Sequence, residues 1–134
     1  MGLFSTLFGS KKNSKLPTTQ TGDTMSYTSR EIQLAARPNG EPKESDFQVG
    51  TQELGEPGAG EFLVRNIWMS VDPYMRGRMM DRESYVPPFQ IGAALEGGAV
   101  GQVLKSNNAD YKVGDYVQSM LGWRAAYITD GAML

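Results

Sequence analysis

The chain has 134 residues, a net charge of −2, and neither cysteine nor histidine. That length suits one domain with a real core rather than two. The missing residue types exclude disulfides, thiolate nucleophiles, serine–histidine triads and zinc held by histidine or cysteine, and the mild acidity leaves no electrostatic footprint for nucleic acid.

Residues 1–24 read as a disordered leader or appendage ahead of a domain at 25–134, for which Met25 is a natural start. Leu3, Phe4, Leu7 and Phe8 share one face of a short helix, and Lys11, Lys12 and Lys15 follow. That pattern can skim a membrane surface through residues 1–15. Met1-Gly2 with Thr6 also fits the loose N-myristoylation pattern. The polar run 17–24 favours the plainer reading, a leader with no fixed fold. No apolar run in the chain approaches membrane-spanning length.

From Arg30 the pattern is all-β. Ile32, Leu34 and Ala36 alternate with polar or small residues and predict a first strand of period two. Asn39-Gly40 has hairpin-turn chemistry, although Pro38 and Pro42 argue against a tight two-residue turn. Phe47–Val49 predicts a short extended piece, and Pro57-Gly58 suits a type II turn. Phe62–Val71 is apolar on both faces except at Arg65, Asn66 and Ser70, which predicts a central strand covered on both sides. Further strands are expected within Ile91–Leu104, Tyr111–Met120 and Trp123–Thr129. Short strands at such regular spacing predict a barrel or sandwich.

The strongest local signal is Ser70–Met80, Ser-Val-Asp-Pro-Tyr-Met-Arg-Gly-Arg-Met-Met. Asp72 can cap a helical turn, Pro73 suits its first position, and Gly77 is expected to end it. Tyr74 then stands at the mouth of a strand with its phenol outward. On spacing alone this is a strand-to-helix corner with a half-buried tyrosine. Gly97-Gly98-Ala99-Val100-Gly101 is not a dinucleotide fingerprint, because it lacks the G-x-G-x-x-G spacing and precedes Gln102-Val103-Leu104 rather than a helix. Its glycines are expected to let a barrel strand bend and approach its neighbour. Arg76, Arg78 and Arg82 form a basic group that can meet a phosphate, but a solvated face paired with Asp81 and Glu83 is the preferred reading. Met69, Met75, Met79 and Met80 supply adaptable apolar surface, and Trp68 and Trp123 are expected in the core. No role falls on Tyr127.

Asp-Pro-Tyr-Met-Arg-Gly-Arg-Met, followed by Glu-Ser-Tyr-Val-Pro-Pro at 83–88, resembles the zinc-independent medium-chain dehydrogenase/reductases. Within them it is similar to the NADPH-dependent branch of curcumin reductases, prostaglandin reductases and alkenal double-bond reductases. Arg37-Pro38, Pro57-Gly58 and Val113-Gly114-Asp115 fall in order, so the resemblance spans about Ile32 to Gly131. It implies a mostly β domain, a partly open GroES-like barrel with short helical turns, and a Rossmann cofactor domain expected beyond Leu134. It also implies NADPH as cofactor, no metal, a cytoplasmic setting and a homodimer for the full-length family protein. The substrate would be a small enone or enal whose C=C bond is reduced. Tyr74 and Tyr85 fall on the two pocket tyrosines of curcumin-reductase-like members, and the resemblance makes them substrate-orienting donors. Where zinc-binding relatives place a histidine before the acid, Leu95 precedes Glu96 here. The alternative from another class is a stand-alone, non-catalytic GroES-like module that binds a small enone or a protein partner.

Overall fold

The computed structural model describes residues 26–132 and 134, so the expected leader, its membrane-skimming face, the acylation pattern and the Met25 start lie outside the described residues. Six strands follow one another: β1 (Tyr27–Leu34), β2 (Phe47–Leu54), β3 (Phe62–Met69), β4 (Ala99–Ser106), β5 (Tyr116–Ser119) and β6 (Ala126–Thr129). A 3₁₀ turn at Glu44–Asp46 precedes β2, and one short helix, α1 (Tyr74–Arg78), follows β3. β1 and β2 form an antiparallel pair, while the other four run in the order β5-β4-β3-β6. The two sheets do not close on each other, which is the partly open, mostly β arrangement of a GroES-like domain.

What joins the sheets is the free edge of β1. The Ala125 N–H donates to the Arg30 carbonyl and the Ile32 N–H to the Trp123 carbonyl, both at 2.8 Å. Further along, the Leu95 N–H reaches the Ile32 carbonyl at 3.0 Å. The alternation therefore sets the inward face of β1, with Ile32 and Leu34 fully buried, but the strand stops at Leu34 and Ala36 is exposed. Ala35 and Ala36 instead both donate to the Asp46 carbonyl, which turns the chain out of the strand.

Two cores result. Ile32, Leu34, Met75, Met79, Phe89, Leu95 and Trp123 form one, and Phe62, Val64, Val103, Val117 and Tyr127 form the other. β3 is central, as the apolar run indicates, with Phe62, Leu63 and Val64 buried between β4 and β6. Its far end is different. Trp68, expected in the core, is 74 % exposed, because a register shift between Asn66 and Trp68 turns its ring out beside Val100. Trp123 is buried, and it holds a left-handed backbone (φ 62°) at the corner that swings the chain beside β1.

Two local expectations shift position. The type II geometry expected at Pro57-Gly58 is replaced by a turn in which Gly60 carries the positive φ (76°) and the Glu61 N–H donates to the Gly58 carbonyl. The region Ile91–Leu104 is not one strand: isolated bridges at Ile91, Ala94 and Gly97 precede β4. Gly101 acts as anticipated. A Cβ there would stand 2.5 Å from Val64 Cγ1, so β3 and β4 approach each other at a distance only glycine permits.

Candidate functional site

β3 delivers the chain to the corner, where the Ser70 N–H donates to the Gly98 carbonyl at 2.8 Å. The Asp72 carboxylate does not cap α1. It accepts the Ser70 hydroxyl at 2.7 Å, and Pro73 takes the N-cap position with helical backbone angles (φ −56°, ψ −32°). Gly77 does not end the helix either, for α1 includes it and continues to Arg78. So short a helix cannot hold itself together and depends on tertiary packing. Met75 and Met79, one turn apart, anchor it in the first core. Tyr74 and Arg78 stand one residue behind them, also one turn apart, along the flank that faces outward.

That flank and the following loop enclose a cleft of about 720 Å³, lined by Tyr74, Arg76, Arg78, Met80, Arg82 and Tyr85 among others. Its size falls in the range of small-molecule sites, roughly 300–1,000 Å³. Tyr74 is 46 % exposed and Tyr85 fully so, and neither phenol has a hydrogen-bond partner among the described residues. The fold thus brings the two tyrosines named from the sequence, eleven positions apart, to one opening with both O–H groups free to donate.

Arg76 and Arg78 depart from the expected solvated face while Arg82 stays exposed, and none of the three pairs with Asp81 or Glu83 among the described residues. Arg76 donates through Nε and Nη2 to the Gly40 carbonyl, at 3.1 and 2.8 Å. Arg78 donates to the Pro87 carbonyl and to Glu96 Oε2, both at 3.0 Å, and its guanidinium lies 4.2 Å over the Phe89 ring. Arg76 and Arg78 find fixed acceptors beside α1 in the Gly40 and Pro87 carbonyls, and a planar fork is held better by such acceptors than by flexible neighbouring carboxylates. Arg37 does likewise, with Nη1 bonded to the carbonyls of Met79 and Phe89 at 2.9 and 2.6 Å. Sequence reasoning missed Arg37, Phe89 and Glu96 as supports of the site. Glu96 meets Arg78 18 positions away and Arg37 meets Phe89 52 positions away, and no local pattern encodes that.

The perturbed ionisable groups lie outside the cleft. Burial lowers the proton affinity of Arg124, against the opposing pull of Glu31, Glu96 and Tyr127. Burial pushes the Tyr127 phenol up, and the Ser119 hydroxyl and the Arg124 charge oppose this without cancelling it. Among the described residues no group of three His, Cys, Asp or Glu converges to hold a metal, and no helix is long and apolar enough to cross a membrane. Gly97–Gly101 runs directly into β4, with no helix N-terminus to receive a pyrophosphate.

Comparison with known proteins gives the family and the fold. A family model described as the N-terminal domain of oxidoreductase matches residues 30–134. The chain is 44 % identical over 98 residues to the NADPH-dependent curcumin reductase of Escherichia coli strain K12, covering 73 % of this chain and 28 % of that protein. It is 38 % identical over 100 residues to the 2-alkenal reductase (NADP(+)-dependent) of Nicotiana tabacum, covering 72 % and 29 %. The crystal structure of CurA in complex with NADPH from Vibrio vulnificus superposes with a TM-score of 0.74 at 43 % identity, over 78 % of this chain and 31 % of that one. The chain spans less than a third of the length of these relatives.

Proposed function

The chain belongs to the NADPH-dependent branch of the medium-chain dehydrogenase/reductases, as an N-terminal oxidoreductase domain, and we propose that it is the substrate-holding part of a reductase acting on the C=C bond of α,β-unsaturated ketones or aldehydes. The observation that carries this reading is the pair of unpartnered phenols, Tyr74 and Tyr85, on one cleft of about 720 Å³. NADPH supplies the hydride of such a reaction when bound. The part assigned here to the described residues is to hold the substrate.

Reduction of a conjugated C=C bond gathers negative charge on the carbonyl oxygen, so the site needs donors aimed at that oxygen. A tyrosine O–H is protonated at neutral pH and can donate without a histidine. Tyr74 is held on a helix anchored by two buried methionines, so its position costs the ligand little reorganisation. Met80 on the cleft wall offers adaptable apolar contact to the rest of an enone.

The test is a binding titration with a neutral enone, (E)-4-phenylbut-3-en-2-one, against the parent chain, Tyr74→Phe and Tyr85→Phe. Loss of one neutral hydrogen bond is worth about 1 kcal/mol, so each substitution is expected to weaken binding about fivefold. In an active enzyme carrying this domain, the same substitutions lower turnover of the enone and leave NADPH affinity nearly unchanged. Equal affinity for the parent and both variants refutes the assignment.

A further inference from the structure

Tyr85 has no contact of its own to fix it. It is fully exposed on the connection between Met79 and Phe89, so its place opposite Tyr74 depends on how the ends of that connection are held. Those ends converge on α1. The Phe89 N–H donates to the Arg78 carbonyl at 2.7 Å, closing the loop at its base. The Arg78 side chain reaches the other way, to the Pro87 carbonyl at 3.0 Å, two residues from Tyr85.

We infer that Arg78 is a positioning residue, fastening the Tyr85 loop to α1 and to Glu96 so that Tyr85 stands across the cleft from Tyr74. The inference rests on the substrate reading of the cleft and deepens it. Arg78 suits this task for three reasons. Its side chain is only 11 % exposed, which strengthens its hydrogen bonds over those of a surface arginine. Its two bonds go to different segments, the Pro87 carbonyl and the Glu96 carboxylate, so the guanidinium is a rigid bridge between them. Its plane also covers the Phe89 ring, whose side chain is buried in the core beneath α1. Lysine can supply the charge for Glu96, but not a fork that holds both partners at fixed angles.

Two measurements test this. Limited digestion with a glutamate-specific protease reads the loop at Glu83, and the exposed Glu44 serves as an internal reference. Arg78→Met is expected to speed cleavage after Glu83 about tenfold relative to Glu44, since cleavage follows the population of the open segment. Arg78→Lys should fall between the two, and an unchanged Glu83-to-Glu44 ratio in Arg78→Met overturns the anchor. The second measurement is the affinity of (E)-4-phenylbut-3-en-2-one in a double-mutant cycle. Arg78→Met should weaken binding about threefold to fivefold in the parent, no more than Tyr85→Phe itself, and leave it nearly unchanged in the Tyr85→Phe background. An equal loss in both backgrounds means that Arg78 does not act through Tyr85. A probe that fails to bind the parent refutes the substrate reading, and one that binds Tyr85→Phe as well as the parent refutes Tyr85's part and the inference with it. Unchanged proteolysis refutes the anchor while the substrate reading stands.

Discussion

Replacing Gly101 by alanine tests the packing that aims β3 at the corner. The added Cβ would stand 2.5 Å from Val64 Cγ1, 2.7 Å from the Arg65 carbonyl oxygen and 3.1 Å from Asn66 Oδ1. Ordinary contacts between carbons are about 3.5–4.0 Å, so the methyl needs roughly 1 Å of room. None of the three neighbours gives way easily. Val64 is fully buried in the second core, and Arg65 lies in a central strand paired on both sides. Asn66 is held by bonds from Nδ2 to the carbonyls of Leu121 and Arg124, at 2.8 and 2.9 Å. Overpacking of this kind costs about 1–3 kcal/mol. Alanine recovers about 0.4–1 kcal/mol of that by restricting the unfolded chain. The net destabilisation is about 0.5–2 kcal/mol, which lowers Tm by roughly 2–8 °C. Gly55→Ala is the control, since nothing lies within 4 Å of its Cβ position and its φ is not in the left-handed range. It should be neutral or slightly stabilising. Urea unfolding of the two variants, with unchanged m-values, reads the difference directly. If Gly101→Ala is as stable as the parent, the close approach of β3 and β4 is not the constraint described here.

Two further outcomes follow from the packing. The Tyr127 phenol is held above its ordinary proton affinity by burial. Between the unfolded value, about 10, and the raised folded value, the native chain keeps a proton the unfolded chain has released, so stability falls as pH rises through that window. Tyr127→Phe should flatten the loss of urea midpoint above about pH 10, and identical slopes in parent and variant would refute the effect. Trp68→Ser removes a ring that is 74 % exposed and should change stability by no more than about 0.5 kcal/mol, measured by urea unfolding. A loss of several kcal/mol would put Trp68 back in the core.

Legibility followed the range of the forces involved. Period-two alternation made β1 visible, and a long apolar run made β3 visible, because each reports burial of neighbouring residues on one strand. The corner at Asp72-Pro73 was visible for the same local reason, yet the role of Asp72 was misread. A carboxylate two residues from a serine hydroxyl has a nearer partner than a helix N–H. Trp68 was misread because a register shift reverses the outward and inward faces partway along β3, and no propensity marks the shift. Tyr74 and Tyr85 are marked by a motif, and their shared cleft is a property of the fold. The arginine supports were out of reach, since carbonyls of distant loops are the same in every residue and leave no trace in side-chain pattern.

The seam along β1 also sets an order of events during synthesis. The Ser29 hydroxyl donates to the Ala126 carbonyl at 2.9 Å and accepts the Ala126 N–H at 3.0 Å, across 97 positions of chain. A ribosome adding about 5–20 residues per second needs roughly 4–14 s to travel from the end of β2 to Ala126. Until residues 91–95 emerge β1 has only β2 to pair with, and a two-stranded ribbon alone is marginal in water. Even then the edge at Ser29 and Arg30 stays open until Ala125 and Ala126 arrive. Trp123, which completes the core beneath Met75 and Met79, emerges in the same late stretch. The nascent domain therefore waits with part of one edge open, and the helix bearing Tyr74 has its seat completed only when Trp123 arrives.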